Sequence, residues 1–393
     1  MYNVHKFNKL LISGIAISTL SILTISKAPS IEAKAQQQHS VEQLKWIDTE
    51  TIPHNKSYKG TTIGGLSGIS YDVTNNKWYL VSDDRSEKNP ARFYEAKINY
   101  NKNGFNHTKF TDVHTFKQSD GSNYPNKDKY QHHPNEAVAD IESIRIDPST
   151  NKLLYTSEGD RSLGLNPFIR EADLNGQYSS EIPVTETIKM DKEKNKGFRN
   201  NLALEGSSIS ADGQSLWTAM EAPIIQDGHT ATTNSGALTR ISQYSRNGTL
   251  MSEYAYPLDA IPGTAKDDKT AENGISEMLA ISNHEFLTLE RASVQTADGI
   301  YHNYVRIYKF ETQDATEIKD MKSIKNSKVQ PVKKKLVANL NEKDIGKIDN
   351  IEGMTFGKKL SNGNDSLVLV TDNNFNKSQK TELIAFEVQL EDK

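Results

Sequence analysis

One feature constrains the fold of this chain more than any other: a short strand, a polar turn and a second strand recur five times. The hairpin segments span residues 65–85, 140–161, 203–223, 274–292 and 350–374. Their turns are rich in Asn, Asp, Gly and Ser, the residue types that close β-hairpins. Equivalent positions are 75, 63, 71 and 76 residues apart, taken at Ser67, Glu142, Glu205, Ser276 and Glu352. A period of this size predicts a repeat architecture.

Further β-rich segments follow each hairpin. Third strands are predicted at 91–98, 167–174, 237–245, 303–311 and 381–390, and fourth strands at 111–118, 182–190, 250–258 and 334–340. The fifth unit has no fourth strand of its own, but residues 44–52 supply an unmatched one. Pairing that strand with the last unit closes a ring and leaves no free edge. We therefore predict an all-β fold, a single β-propeller with five four-stranded blades closed by an N-terminal strand. A sixth blade within 106–140 or 311–335 is the open alternative.

The composition fits such a domain and excludes some chemistry. The chain has 393 residues, of which 35% are hydrophobic, enough for a substantial core. It has no cysteine, which rules out disulfides, thiolate metal sites and a cysteine nucleophile. Stability must therefore come from packing and from bound ions.

Residues 1–35 have the organisation of a secretory signal peptide. Lys6 and Lys9 precede an apolar run at 10–25, and Ala33-Lys34-Ala35 forms an A-x-A cleavage site. The run is shorter than the roughly 20 apolar residues that a membrane span needs. We expect cleavage near Ala35-Gln36, a secreted protein without a membrane span, and a propeller domain over 36–393.

The net charge bears on the partner. Removing residues 1–35 takes away four positive residues and one negative residue, which changes the net charge from −4 to about −7. A mildly acidic surface argues against a nucleic-acid partner. We expect a monomer that binds a small-molecule ester or phosphate ester.

Acidic residues recur at two positions of the repeat. The first strand of a propeller blade lines the central channel, and Glu142, Glu205 and Glu352 share its repeat position. The ends of the second strands carry a further set, namely Asp83, Glu158, Glu221, Glu290 and Asp372. A shared register would place these carboxylates around one axis. Anions so close together need cations between them or must hold protons.

An all-oxygen set of ligands suits a hard divalent cation such as Ca²⁺. The metal ligands predicted on this basis are Asp83, Glu142, Glu158, Glu221, Glu290 and Asp372. Arg85 and Arg291 follow acidic residues, and a guanidinium fork there would hold a phosphate. The alternative is structural, with each acid paired to an Arg of the next blade or to free N–H groups at the channel rim.

The five segments also resemble a known family. GLSGISYD with WYLVSDDR, IESIRID with SEGD, ALEGSSIS with MEAPIIQDG, NGISEMLAIS with LERA, and DNIEGMTFG with LVLVTDNNF occur in order between about residues 60 and 390. They are similar to the phytase-like propeller family described by an esterase-like activity of phytase. The resemblance implies a hydrolase of phosphoric or other esters. Among the positions that match its motifs, Asp84, Asp227 and Asn373 are assigned to substrate binding.

The leading hypothesis is a hydrolase in which channel carboxylates hold Ca²⁺, which binds the ester and lowers the pKa of an attacking water. Glu205 and Glu352 are the catalytic carboxylates, and Arg85 and Arg291 stabilise charge on the substrate oxygens. One alternative is a non-catalytic propeller that binds a cell-wall, host or small-molecule ligand. Another is a channel ion that only stabilises the ring.

Overall fold

The computed structural model describes residues 41–266 and 270–389. In this part of the chain the strands form five four-stranded antiparallel sheets and one two-stranded sheet, β2 (Ser57–Tyr58) with β3 (Thr61–Thr62). Blade 1 contains β4 (Leu66–Asp72), β5 (Lys77–Ser82), β6 (Arg92–Asn101) and β7 (Gly104–Thr115). Blade 2 contains β8 (Ile141–Asp147), β9 (Lys152–Ser157), β10 (Phe168–Ala172) and β11 (Tyr178–Ile182).

The other three blades follow the same order from the inside outwards. Blade 3 contains β12 (Leu204–Ile209), β13 (Ser215–Met220), β14 (Ala237–Ser245) and β15 (Leu250–Leu258). Blade 4 contains β16 (Ala271–Ala280), β17 (Glu285–Gln295), β18 (Tyr301–Glu311) and β19 (Lys333–Asn339). Blade 5 contains β20 (Ile351–Phe356), β21 (Ser366–Thr371), β22 (Thr381–Gln389) and β1 (Gln43–Ile52).

The five sheets close into a ring. Each inner strand contacts the next one, from β4 through β8, β12 and β16 to β20, and β20 contacts β4. The strand from the beginning of the described chain, β1, pairs antiparallel with β22 and forms the outer edge of blade 5. The prediction of a five-bladed propeller closed by an N-terminal strand is confirmed.

Two details of the predicted strands change. The connections proposed for a sixth blade contain no further four-stranded sheet in the described chain, and short 3-10 helices occur at Lys127–Lys129, Ile225–Asp227 and Leu340–Glu342. The fourth strand of blade 2 is β11, whereas the sequence placed it at 182–190. Pro183 follows β11 directly, and a proline cannot donate to a continuing strand ladder.

The hydrophobic core lies between the blades. Each of the five interfaces has its own cluster of buried side chains, drawn from both neighbouring blades. Between blades 3 and 4, the rings of Trp217 and Phe286 have centroids 4.6 Å apart. Because apolar faces of adjacent sheets cover one another, the inner strands are left free to place polar side chains on the axis.

The predicted signal peptide lies outside the described residues, and its removal and the secretion of the protein stay predictions. Within 41–266 and 270–389 the structure has no helix long and apolar enough to cross a membrane.

Candidate functional site

A β-bulge interrupts the inner strand of every blade at the same place. The pairing register shifts at a single residue in three blades: Ser67 in blade 1, Ser276 in blade 4 and Glu352 in blade 5. In the other two blades it shifts across a pair of residues, Glu142-Ser143 in blade 2 and Glu205-Gly206 in blade 3. A bulge bends its strand and redirects the side chain of the extra residue. The repeat position that the sequence analysis identified is therefore the bulge position.

A backbone hydrogen bond fixes the second row of acids beside the bulge. The N–H of the residue after the second strand donates to the carbonyl two residues before the bulge, with distances of 2.7 to 3.1 Å. The pairs are Asp83 with Gly65, Glu158 with Asp140, Glu221 with Ala203, and Asp372 with Asn350. The repeat thus carries three neighbouring positions, two on the inner strand and one on the second strand.

Blade 4 departs from this pattern and corrects one predicted residue. In blades 1, 2, 3 and 5, the residue before the bulge pairs with the last residue of the second strand, which is Ser82, Ser157, Met220 or Thr371. The acid of each blade directly follows that last residue. In blade 4 the residue before the bulge, Ile275, pairs with Glu290, and Gly274 pairs with Arg291. Arg291, not Glu290, therefore occupies the position of the four acids. A one-residue change of register moves a side chain to the opposite face of the strand.

Glu290 consequently points away from the axis into an ion network of blade 4. Its buried carboxylate accepts from the Tyr256 hydroxyl at 2.8 Å and is paired with Lys334. Arg306 lies 3.6 Å away on the other oxygen. The structure does not bring Glu290 to the other predicted metal ligands.

The other acids converge on the axis from four blades. Eight carboxylates, which we call the channel cluster, lie there and are buried or nearly so: Asp83, Asp140, Glu142, Glu158, Glu205, Glu221, Glu352 and Asp372. Within it, single oxygens of Asp140, Glu142 and Glu158 lie within 4.8 Å of one another, as do those of Glu158, Glu205 and Glu221. Glu158 belongs to both groups.

Burial and mutual repulsion change the protonation of the channel cluster. Burial is the main cause that raises the pKa values of Asp83, Glu142, Glu205, Glu221 and Asp372 well above their ordinary range, and neighbouring carboxylates raise them further. Burial also raises the pKa of Glu158 to about 8. The pKa of Asp140 rises to about 6, again through burial, although Arg85 opposes the change. The cluster is therefore short of positive charge.

Two guanidinium groups stand among these eight carboxylates. Arg85 Nε lies 2.9 Å from Asp140 Oδ1 at the mouth of the channel. Arg291 lies deeper, 3.5 Å from Glu221 and 3.6 Å from Glu352. Its Nε has no hydrogen-bond partner among the described residues, and neither has the buried hydroxyl of Ser276 on the same blade. Blade 4 therefore contributes a cation and spare donors where the other blades contribute acids.

The opposite side of the channel is closed by a single side chain. Arg145 of β8 donates to the carbonyls of Ile69 at 2.7 Å and Met278 at 3.1 Å, and its Nε donates to Ser207 at 2.7 Å. Its other partner is Glu277, at 2.6 Å. These bonds join blade 2 to blades 1, 3 and 4 across the axis, so the channel cluster forms the floor of a pocket that opens at one rim.

Two clefts open at that rim. The first has a volume of about 590 Å³ and reaches Glu352 and Arg291. The second has a volume of about 460 Å³ and reaches Asp83 and Arg85. Asn374 lines both. Each of these clefts, which are lined by described residues, offers a ligand a route to the channel cluster.

The three residues assigned to substrate binding are committed to structural contacts. Asp84 pairs with Arg92 at 2.7 Å, where both side chains are buried, and accepts from backbone N–H groups of its own loop. Asp227 is fully buried and pairs with Arg240 through both carboxylate oxygens, at 2.6 and 3.0 Å. The Asn373 side-chain oxygen accepts from Gly65 N–H at 3.1 Å and Phe375 N–H at 3.0 Å. Asp84 lines the second cleft, whereas Asp227 and Asn373 line neither cleft.

Sequence reasoning missed four residues of the site. Asp140 and Asn350 lie two positions before the bulge, and Asn350 donates to Glu352 at 2.8 Å. Side chains two positions apart in an extended strand lie on the same face. This alternation could have identified both residues from the sequence. Glu272 lies 3.9 Å from Arg291. Arg145 spans the channel between blades 1, 2, 3 and 4. No local pattern distinguishes Glu272 or Arg145, because their partners belong to other strands and blades.

The fold and the site define a five-bladed propeller with a buried, acidic, one-ended pocket. The family model described as "Phytase-like: Esterase-like activity of phytase" matches residues 61–375. The chain therefore belongs to the phytase-like family, a β-propeller family described by a hydrolase activity. The resemblance inferred from the hairpin motifs is confirmed. No curated protein matches the chain in sequence.

The solved structures that are similar to this chain are distant. The catalytic domain of a GH62 α-L-arabinofuranosidase from Coprinopsis cinerea is 9% identical, with 88% of this chain and 97% of that chain covered and a TM-score of 0.39. The GH43 β-xylosidase/α-arabinofuranosidase CoXyl43, from a compost microbial metagenome, is 12% identical, with 88% and 94% covered and a TM-score of 0.42. A Cellvibrio cellulosa α-L-arabinanase mutant is 10% identical, with 82% and 92% covered and a TM-score of 0.41. Similarity at this level carries no argument about activity.

Proposed function

We propose that this protein is a secreted hydrolase of phosphate esters or other esters that works with a divalent metal ion, for which Ca²⁺ is the best candidate. The observation that carries the proposal is the charge imbalance of the channel cluster, in which eight carboxylates meet two guanidinium groups. Full ionisation of such a cluster is prohibitive without cations. Divalent cations would balance it and would attract an anionic substrate.

The donor set fits a hard cation. Both three-carboxylate groups offer oxygen ligands alone, and their oxygens already lie within 4.8 Å of one another. Ca²⁺ takes six to eight oxygen ligands in flexible geometry, so carboxylates from separate blades suit it. Asp140, Glu142 and Glu158 would hold one ion, and Glu158, Glu205 and Glu221 a second. A bound ion supplies a Lewis acid and lowers the pKa of a coordinated water.

The residues around these groups supply binding and proton transfer. Arg291 presents its unpartnered Nε beside the acids, where a guanidinium binds a substrate anion. Arg85 holds the mouth of the pocket through Asp140 and would contact the substrate on entry. Glu352 lies outside both three-carboxylate groups of the described chain, lines the first cleft and is oriented by Asn350. This makes Glu352 the candidate general base.

The test combines metal analysis with an activity panel. The purified protein is assayed on p-nitrophenyl phosphate and p-nitrophenyl acetate, as purified, after EDTA, and after Ca²⁺ is restored. We expect EDTA to abolish turnover and Ca²⁺ to restore it. Glu205→Gln should retain the fold but lose metal and activity, whereas Glu311→Gln, at an exposed residue of β18, should behave as wild type.

Two results would overturn the proposal in different parts. Turnover that survives EDTA would remove the metal from the mechanism. A protein that neither contains metal nor hydrolyses any ester would make the non-catalytic binding platform the better description.

A further inference from the structure

The rim of the pocket is divided into two clefts by a short bridge. Arg85 lines the second cleft and donates through Nη2 to Asn201 Oδ1 at 3.1 Å, and Asn201 lines the first cleft. Asn374 forms the rest of the divide, since it lines both. The clefts therefore lie on either side of this bridge.

Each cleft reaches the acids by itself. Glu352 and Arg291 lie at the end of the first cleft, and Asp83 and Arg85 at the end of the second. Volumes of about 590 and 460 Å³ both fall within the range of pockets that enclose a small organic ligand. A phosphate monoester carries one organic group and would fill one cleft. A diester carries two.

The turn between the clefts is held in a strained conformation. Asn374 and Phe375 are consecutive non-glycine residues with φ of 45° and 50°. Residues of this kind cost on the order of 1–3 kcal/mol each, and they concentrate at ligand clamps and active sites. Lys88 lies over the Phe375 ring, 5.2 Å from its centroid. The divide is therefore held by a contact within the second cleft.

The side chains of the first cleft indicate what kind of group it takes. Neutral amides and hydroxyls line much of it, including Asn303, Ser378 and Gln379, and Tyr301 is 55% exposed at its edge. Such groups match a partner with many hydroxyls, and sites built to hydrogen-bond hydroxyls reject analogues that lack them. The neutral part of this lining is therefore suited to a polyol or sugar.

We infer that the substrate is a phosphodiester whose two organic groups occupy the two clefts, with a hydroxyl-rich group in the first. The inference rests on the proposed ester hydrolase function and narrows its substrate class. In the reaction a water oxygen forms a bond to phosphorus and one P–O bond to an organic group breaks. One water proton is taken up by the base and the departing alkoxide gains a proton, which leaves a phosphate monoester and an alcohol.

The experiment fills each cleft separately. Ser378→Trp fills the first cleft and Glu87→Trp the second, since both residues line their clefts and are exposed. Ser327→Trp, at an exposed residue outside both clefts, is the matched control. The kcat/KM of each variant is measured on glycerol p-nitrophenyl phosphate, a diester, and on p-nitrophenyl phosphate, a monoester, with Ca²⁺ present.

We expect the wild type to prefer the diester, and each cleft variant to lose about tenfold or more on the diester, the size of a lost pocket contact. Each cleft variant should lose less than about threefold on the monoester, because its single organic group can still occupy the other cleft. Monoester turnover with no diester turnover, or equal losses on both probes, would overturn the inference and leave the proposed hydrolase intact. Absence of turnover on both probes would remove the proposed function and this inference with it.

Discussion

Two acidic regions of this propeller show opposite solutions to the burial of charge. In blade 4, the ion network of Asp259, Glu290, Arg306 and Lys334 matches two carboxylates with two cations. In the channel cluster, eight carboxylates share Arg85 and Arg291. The first region is balanced by its own side chains, and the second is not.

The pKa shifts follow this difference. Burial alone would raise the pKa of Asp259, but hydrogen bonds from Lys334 and Tyr308 outweigh it and lower the pKa. In the channel, burial and, to a lesser extent, repulsion from Asp140 raise the pKa of Glu158 to about 8. A balanced network stabilises the fold as it stands. An unbalanced one destabilises the fold unless its carboxylates take up cations or protons, which is a property expected of a functional site.

The largest predicted contrast between the two regions is in activity. Glu352→Gln should lower kcat on p-nitrophenyl phosphate by a factor of about 10² to 10⁴, the usual contribution of a general base. The amide is isosteric and can still accept the hydrogen bond from Asn350, so the fold should persist. Glu290→Gln should leave kcat unchanged in protein that is folded. Steady-state kinetics and circular dichroism check both, and an active Glu352→Gln protein would remove Glu352 from the chemistry.

The next contrast is in the free energy of unfolding. Glu290→Gln removes the buried one of the two carboxylates that pair with Lys334 and leaves Asp259, so it should destabilise the protein by about 3 kcal/mol, the lower end of the cost of breaking a buried ion pair. Urea denaturation of the metal-free protein measures this, with Glu311→Gln as the exposed control. A loss no larger than that of the control would show that the blade 4 network is not structural.

Calcium should distinguish the regions by a similar amount. At 100 times its Kd, Ca²⁺ should stabilise the wild type by about 2.7 kcal/mol, seen as an increase in Tm. Glu158 belongs to both three-carboxylate groups, so Glu158→Gln should lose most of this increase. Differential scanning fluorimetry across a Ca²⁺ series checks the prediction, and Glu290→Gln should keep the full increase from its lower starting Tm. An unchanged increase in Glu158→Gln would place the ion elsewhere.

In metal-free protein the same substitution should have the opposite sign from Glu290→Gln. Because the pKa of Glu158 is raised to about 8 in the folded protein, folding at pH 7 requires the uptake of a proton. Glu158→Gln removes that cost and should raise the free energy of unfolding by on the order of 1 kcal/mol. Urea denaturation in EDTA is the measurement. Destabilisation would mean that the hydrogen bond that Glu158 accepts from Ala203 N–H outweighs the cost of proton uptake.

The smallest effect is the acid response of the blade 4 network. The folded-state pKa of Asp259 is lowered below its ordinary value of 3.8, so its contribution is present above that value and is lost as the pH falls through the folded pKa. Because Asp259 is partly exposed, we expect less than about 1 kcal/mol. Urea denaturation of the wild type and of Asp259→Asn between pH 2 and pH 6 isolates the contribution of Asp259 to the free energy of unfolding. If the two proteins lose stability in parallel as the pH falls, the prediction is wrong.

The repeat in the sequence predicted most of the ring and much of the site. Seven of the eight carboxylates of the channel cluster were named from their repeat positions, because strand ends and inner strands recur in register. Asp140 was passed over although it shares a strand face with Glu142. The assignment of Glu290 failed by one residue, because the spacing within the fourth hairpin allows two registers and the sequence does not choose between them.

The chain by itself determined the five hairpins, the closing strand and the gathering of acids on an axis, since each follows from local alternation and from a period. Tertiary structure decided which face each acid takes and what balances it. Pairing put Arg291 rather than Glu290 on the axis, sent Asp227 to Arg240 and Asp84 to Arg92, and drew Arg145 across the channel. These choices depend on bulges and on partners in other strands, where a shift of one residue reverses a side chain.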